Sequence, residues 1–238
     1  MKWTFIFDPS YWGFTKSTEF LQGDVIAQER DMSRTNHSVR CYKLSKAYEE
    51  ITALSELTMA VNDGNLLCVL GHNGAGKTTL MKVLNGVHPP THGEAFIFGM
   101  SVREDLSAIQ DVMGCCPQDD VLWSELTARD HLELYARFKG TDGGDLTKAV
   151  DMVLSSVALL ENGDQPVRNF SGGMKRRLSV GISMIGSPQI IFLDEPTTGM
   201  DPLSRRRVWS MIQDLKQGRC VFLTTHSMVS SRATPSTT

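Results

Sequence analysis

Gly71-His72-Asn73-Gly74-Ala75-Gly76-Lys77-Thr78 sets glycines, a lysine and a hydroxyl at the spacing GxxxxGK[ST]. Such a stretch can wrap an anion. Its glycines let backbone N–H groups close around phosphate oxygens, and a helix opening at the lysine adds its positive N-terminal end. Lys77 would reach the β- and γ-phosphates of a nucleotide, and the Thr78 hydroxyl would hold Mg²⁺. A second constellation, Ile190-Ile191-Phe192-Leu193-Asp194-Glu195-Pro196, is an apolar run ending in two acids. Carboxylates at the carboxyl edge of a parallel sheet border the ligand crevice. There Asp194 would serve Mg²⁺ through its bound water, while Glu195 would polarise a water attacking a γ-phosphate. Taken alone, the two acids could equally open the turn that follows. In a third stretch, Phe170-Ser171-Gly172-Gly173-Met174-Lys175-Arg176-Arg177, a small-residue turn precedes a helix. Met174, Leu178, Ile182 and Ile185 recur at helical spacing there, which offers a second anion-binding N-terminus. The plain alternative is a helix capped by Ser171, with residues 175–177 as a solvated face.

Elements must hold these groups in place. Apolar runs of strand length recur as Leu66-Leu67-Cys68-Val69-Leu70, Ala95-Phe96-Ile97-Phe98, Ile190-Ile191-Phe192-Leu193 and Cys220-Val221-Phe222-Leu223. Runs apolar at every residue suit strands buried on both faces, as in a largely parallel sheet covered by helices. After Lys77, the residues Leu80, Val83 and Leu84 share a helical face, and Gly86 with Pro89-Pro90 stops that helix. The alternation predicts an α/β fold. Between 120 and 187 the pattern changes: residues 126–139 and 146–160 read as helices with no strand-like run between them, so a helical subdomain is inserted there. Residues 1–37 are aromatic-rich and then polar, as a connector would be, with a boundary near Ser38. Residues 227–238 form a tail in which seven of twelve residues are Ser or Thr.

Composition narrows the function classes. With 24 basic and 27 acidic residues in 238, the net charge is −3. That balance argues against a nucleic-acid surface as the chain's main business. The five cysteines, Cys41, Cys68, Cys115, Cys116 and Cys220, form no CxxC pair, which favours a reducing compartment over a disulfide framework or zinc site. Cys115 and Cys116 are neighbours in a strand-like run and point to opposite faces, as buried small hydrophobes. The longest uncharged stretch, residues 178–193, is broken by Gly181, Gly186, Ser187, Pro188 and Gln189 and cannot span a membrane. Asp8-Pro9 ends the apolar run after Lys2 too early for a secretory signal. Cytosolic placement is the expectation.

Considered together, residues 38–226 resemble the nucleotide-binding domain of ATP-binding cassette (ABC) transporters, with each diagnostic motif in the family's order. The resemblance implies a P-loop NTPase core, mainly a parallel sheet with an antiparallel β edge and the inserted helical subdomain. It implies ATP and Mg²⁺ as ligands. Gly71, His72, Asn73, Gly74, Ala75, Gly76, Lys77, Thr78 and Thr79 then cradle the phosphates, and Tyr48 matches the aromatic that stacks on adenine, a core tyrosine being the alternative. Gln118 in Cys116-Pro117-Gln118 becomes the Q-loop residue, which with Thr78 and Asp194 serves the metal. Ser171-Gly172-Gly173-Met174 becomes the signature, Gly199-Met200-Asp201 the D-loop and His226 the switch histidine. Glu195, His226 and Lys77 carry the catalytic roles. Finer features are similar to the A subfamily, whose members handle mainly lipids and sterols. They are Cys116-Pro117-Gln118-Asp119-Asp120, Met174 where most cassettes have Gln, Gly199-Met200-Asp201-Pro202, and Pro9-Ser10-Tyr11-Trp12, which resembles the segment linking the last membrane helix to the cassette.

By that resemblance the chain works on the cytosolic face of a membrane. A second cassette bound head to tail and transmembrane domains would be its partners. The chain departs from the family's pattern after His226, as a fragment would. That departure suggests an uncovered, association-prone sheet edge beyond Leu223. Two other readings stay open: a truncated cassette that binds ATP without turnover, and a soluble cassette ATPase not engaged in transport.

Overall fold

The computed structural model describes residues 37–62, 64, 66–141, 143–215 and 218–225. Residues 1–36 of the expected connector, His226 and the 227–238 tail lie outside the described residues, while His37 already opens the first strand. Two four-stranded sheets organise the fold. In the first, β1 (His37–Tyr48), β2 (Ile51–Asn62), β4 (His92–Ile97) and β5 (Met100–Ser101) pair antiparallel in the order β2-β1-β4-β5. In the second, β3 (Leu66–Leu70), β8 (Cys220–Thr225), β7 (Ile190–Asp194) and β6 (Met113–Cys116) run parallel in the order β3-β8-β7-β6.

The Ala95-Phe96-Ile97 run belongs to the antiparallel sheet and not to the parallel one. Its strand, β4, alternates in burial because one face packs on the core while the other does not. The segment ending at Leu223 is no sheet edge either. β8 lies between β3 and β7 and is buried at all six positions, so the edge strands are β3 and β6. The run Cys220-Val221-Phe222-Leu223 is apolar throughout because both of its faces are covered.

The parity of β7 defines the two sides of the parallel sheet. Ile190 and Phe192 face one apolar cluster with Val39, Cys41, Ala95 and Ile97 of the antiparallel sheet and Leu80, Met81, Val83 and Leu84 of α1 (Lys77–Leu84). Ile191 and Leu193 face another with the helices of the opposite layer. Cys116 joins that second cluster and its neighbour Cys115 packs on the first, as adjacent strand residues must. α2 (Leu106–Val112) leads into β6.

Between β6 and β7 the described chain is helical: α3 (Ala128–Phe138), α4 (Gly144–Ser156), two 3₁₀ turns at Leu160–Asn162 and Val167–Asn169, and α5 (Gly172–Met184). α3 opens on a capping box. Thr127 Oγ1 accepts from Asp130 N–H at 3.0 Å, and Asp130 Oδ2 accepts from Thr127 N–H at 2.9 Å. Arg129 then binds Asp151 on α4 and Asp164 beyond it, at 2.7 and 2.8 Å. α5 approaches β6 so closely that a Cβ on Gly114 would lie 1.8 Å from the Ser183 carbonyl oxygen. Only glycine permits that approach. α6 (Pro202–Leu215) follows β7 and buries Val208, Met211, Ile212 and Leu215.

Candidate functional site

Register places the site. Leu70 of β3 pairs with Thr225, Asp194 of β7 with Thr224, and Cys116 of β6 with Leu193. The carboxyl ends of all four parallel strands therefore finish on one edge. The loop at 71–76, the 117–120 segment and the turn at Glu195 leave the sheet there side by side.

The first of these loops coils into the start of α1. Gly74 and Gly76 have φ of +80° and +81°, a left-handed conformation that glycine enters without steric cost, and Gly76 is the residue from which α1 starts. Ala75 N–H returns to the His72 carbonyl at 3.1 Å, closing the loop. Lys77, 7% exposed, turns its ammonium back over it, donating to the carbonyls of Gly71 at 2.8 Å and His72 at 3.2 Å. The same ammonium lies 3.6 Å from Glu195 Oε1. An ammonium and a carboxylate from segments 118 residues apart thus lie side by side, both buried.

β7 and β8 hold the two acids. Thr224 Oγ1 donates to Asp194 Oδ1 at 2.5 Å and accepts from Glu195 N–H at 3.0 Å; the same N–H is also 3.2 Å from the Thr224 carbonyl. Glu195 has a φ of +49°, which costs an L-residue about 1–2 kcal/mol, and its bond to Thr224 holds that turn. Thr198 Oγ1 donates to Glu195 Oε2 at 2.7 Å. Glu195 is therefore oriented from both ends, by a threonine on each side. Neither Thr198 nor Thr224 stands out in the sequence, because a threonine beside an acid is commonplace; the strand pairing alone brings Thr224 there.

The remaining candidates are held by contacts of their own. Gln118 is exposed on the segment after β6, and its carbonyl is bonded to Arg176 at 3.1 Å. Ser171 caps α5, its Oγ accepting from Met174 N–H at 3.3 Å, and it stands exposed with Gly172. Asp201 caps α6 through Leu203 N–H and Ser204 N–H, both 3.0 Å, and its bonds to Ser204 hold the carboxyl below the usual range. The signature turn neighbours this cap, since a Cβ on Gly173 would meet Ser204 Oγ at 3.0 Å. Tyr48 closes β1, with the Lys46 ammonium 5.0 Å from its ring centroid and the His88 ring at 5.6 Å edge-on. The basic run at 175–177 is not a uniformly solvated face, because Arg176 is 5% exposed and hydrogen-bonded at every nitrogen.

The donors that could serve a metal are a hydroxyl (Thr78), an amide (Gln118) and a carboxylate (Asp194). This all-oxygen set suits Mg²⁺ and not a soft metal. Among the described residues no group of three His, Cys, Asp or Glu forms a metal cluster. The thiols are withdrawn from such chemistry: burial pushes Cys41, Cys68 and Cys116 up to about 12 and Cys115 to about 11.

Comparison with known proteins gives the family and the fold. Residues 54–198 match the ABC transporter family model. The chain is 44% identical over 213 residues to ABC transporter A family member 12 of Arabidopsis thaliana, covering 86% of this chain and 23% of the relative. It is 44% identical over 230 residues to member 7 of the same plant, covering 91% and 25%. The chain thus spans about a quarter of the length of these relatives. Two solved structures share the fold at 24% identity. One is cbiO1 of Clostridium perfringens, part of the ABC transporter complex cbiONQ (TM-score 0.74, 81% of this chain and 79% of that one). The other is MJ0796, a bacterial ABC transporter cassette with a dimeric structure (TM-score 0.75, 82% and 90%). No described helix is long and apolar enough to cross a membrane. The loop, the capped turn and the paired acids stand in this order on a chain that belongs to the ABC transporter family, as a nucleotide-binding cassette of the A-family type.

Proposed function

We propose that the chain binds ATP with Mg²⁺ and hydrolyses it, powering a membrane transporter of the A-family type on the cytosolic side of the membrane. One observation carries the reading: the Lys77 ammonium, seated on the Gly71 and His72 carbonyls, faces the Glu195 carboxylate at 3.6 Å in a pocket where both side chains are only 7% exposed. Phosphoryl transfer asks for positioning and electrostatic stabilisation more than for covalent chemistry, and this pocket supplies both. Lys77 would exchange its loop carbonyls for β- and γ-phosphate oxygens. Glu195, oriented by Thr198 and by its own bond to Thr224, would accept a proton from the attacking water. Thr78, Gln118 and Asp194 would hold the metal, and His226 would complete the γ-phosphate contacts. When bound, Mg²⁺ would neutralise phosphate charge.

Tyr48 would stack on adenine in place of its contact with Lys46, and Asp201 with Ser171, Gly172 and Gly173 would face a second cassette. The dimeric structure of MJ0796 supports that partnership. Lipid as the cargo, and transmembrane domains as the partners that carry it, rest on the A-family likeness. The test is equilibrium titration with a fluorescent ATP analogue, chased by unlabelled ATP, with and without Mg²⁺. Binding that ATP displaces and Mg²⁺ strengthens is the expected result; a chain that ATP does not displace from would end the reading.

A further inference from the structure

Arg176 joins two loops that the sequence keeps far apart. From the second turn of α5 its Nη1 donates to the carbonyls of Pro117 at 2.7 Å and Gln118 at 3.1 Å, and to Asp120 Oδ1 at 3.1 Å. Its Nη2 donates to the Asp194 carbonyl at 2.9 Å, and its Nε to the Pro196 carbonyl at 3.0 Å. One planar guanidinium therefore holds five acceptors: three on the segment bearing Gln118 and two on the turn bearing Asp194 and Glu195. Arginine alone has the fork for this, since a lysine offers three donors from a single nitrogen and cannot reach both sides of such a plane.

We infer that Arg176 is a positioning residue for the metal end of the site, fixing the spacing between the Gln118 segment and Asp194 and making α5, with Ser171 at its tip, move with both. The inference rests on the proposed MgATP reading and deepens it. A displacement of the Gln118 segment is passed to the signature turn through one side chain. None of the five acceptors belongs to the nucleotide loop at 71–78, so loss of the splint separates an effect on metal placement from one on phosphate binding.

That separation makes the test. In the 238-residue chain, Arg176→Lys should leave affinity for the fluorescent ATP analogue in EDTA within twofold of the parent. The gain in affinity that Mg²⁺ brings should fall about 10-fold or more, as for partners that orient metal ligands. In nucleotide-free protein, amide exchange should quicken at 117–120 and at 194–196 together. Arg177→Lys is the control for a merely structural arginine, because among the described residues Arg177 Nη1 binds the Val157 and Ala158 carbonyls, both at 2.8 Å, at the end of α4. It should lower the melting temperature without changing the Mg²⁺ gain.

Equal loss of affinity with and without Mg²⁺, an undiminished Mg²⁺ gain, or faster exchange in only one segment would overturn the inference. Should Arg176→Lys fail to fold, Asp120→Asn decides. It removes one acceptor at the rim and should reduce the Mg²⁺ gain by about 2- to 5-fold, and an unchanged gain refutes the splint. If the parental chain binds no nucleotide, the MgATP reading falls, while the exchange measurement still tells whether Arg176 couples the two loops.

Discussion

Lys77 and Glu195 neutralise each other at 3.6 Å while the lysine also satisfies two carbonyls, so the two residues fail differently when changed. Lys77→Ala deletes the cation that would meet phosphate and leaves Glu195 buried with its remaining partners. Affinity for MgATP should weaken by about 10- to 150-fold, the worth of a charge-assisted bond, and titration with the fluorescent analogue checks it; unchanged affinity removes the phosphate-loop assignment. Glu195→Gln keeps the size and the Thr198 contact but removes the basic oxygen. In a chain paired with a cassette and assayed for phosphate release, turnover should fall about 100- to 10,000-fold with binding retained, and parental turnover would rule Glu195 out as the base. The motif residues were legible because phosphate chemistry dictates both their types and their spacing. Thr224 and Arg176 were not, because their roles come from strand pairing and from a side chain crossing to a loop 56 to 59 residues away, and Thr198 was not because a threonine three residues from an acid is commonplace.

Elements built from continuous apolar runs, such as β3, β7 and β8, could be read from the chain because burial on both faces leaves no other composition. β1 and β2 could not. Their pairing carries register shifts at several points, and β2 is largely exposed, so the two-residue period that marks a half-buried strand is lost. The α3 helix offers a quantitative check on local structure. Its capping box holds the Asp130 carboxyl below its usual 3.8 through bonds from the Thr127 side chain and backbone. A depressed carboxyl stabilises the fold above its unfolded-state value and ceases to as pH falls through the folded one, so this cap is at full strength at pH 7 and lost in acid. Thr127→Ala should cost about 1 kcal/mol in a urea melt at pH 7. The Asp130 titration followed by NMR should move up toward 3.8. A cap that contributes nothing would leave both unchanged.

At the scale of the whole molecule, no hydrogen bond or ion pair among the described residues joins the loop at 71–78 to the turn at 171–173. Ser171 spends its Oγ on its own helix and Gly173 lies against Ser204, while Lys77 is engaged with Gly71, His72 and Glu195. A turn exposed in this way, at the positive end of a 13-residue helix, is open to a phosphate held by another cassette, as proposed above. Nucleotide binding should therefore be a property of the single chain and hydrolysis a property of a pair. Phosphate release per molecule should rise with protein concentration across a wide dilution series, in step with the dimer fraction seen by light scattering. Ser171→Arg, which sets a bulky cation at the exposed tip, should suppress that release and leave monomer affinity for the ATP analogue within about twofold. Turnover that ignores dilution and survives Ser171→Arg would mean that the chain completes its site alone, and the head-to-tail arrangement would have to be given up.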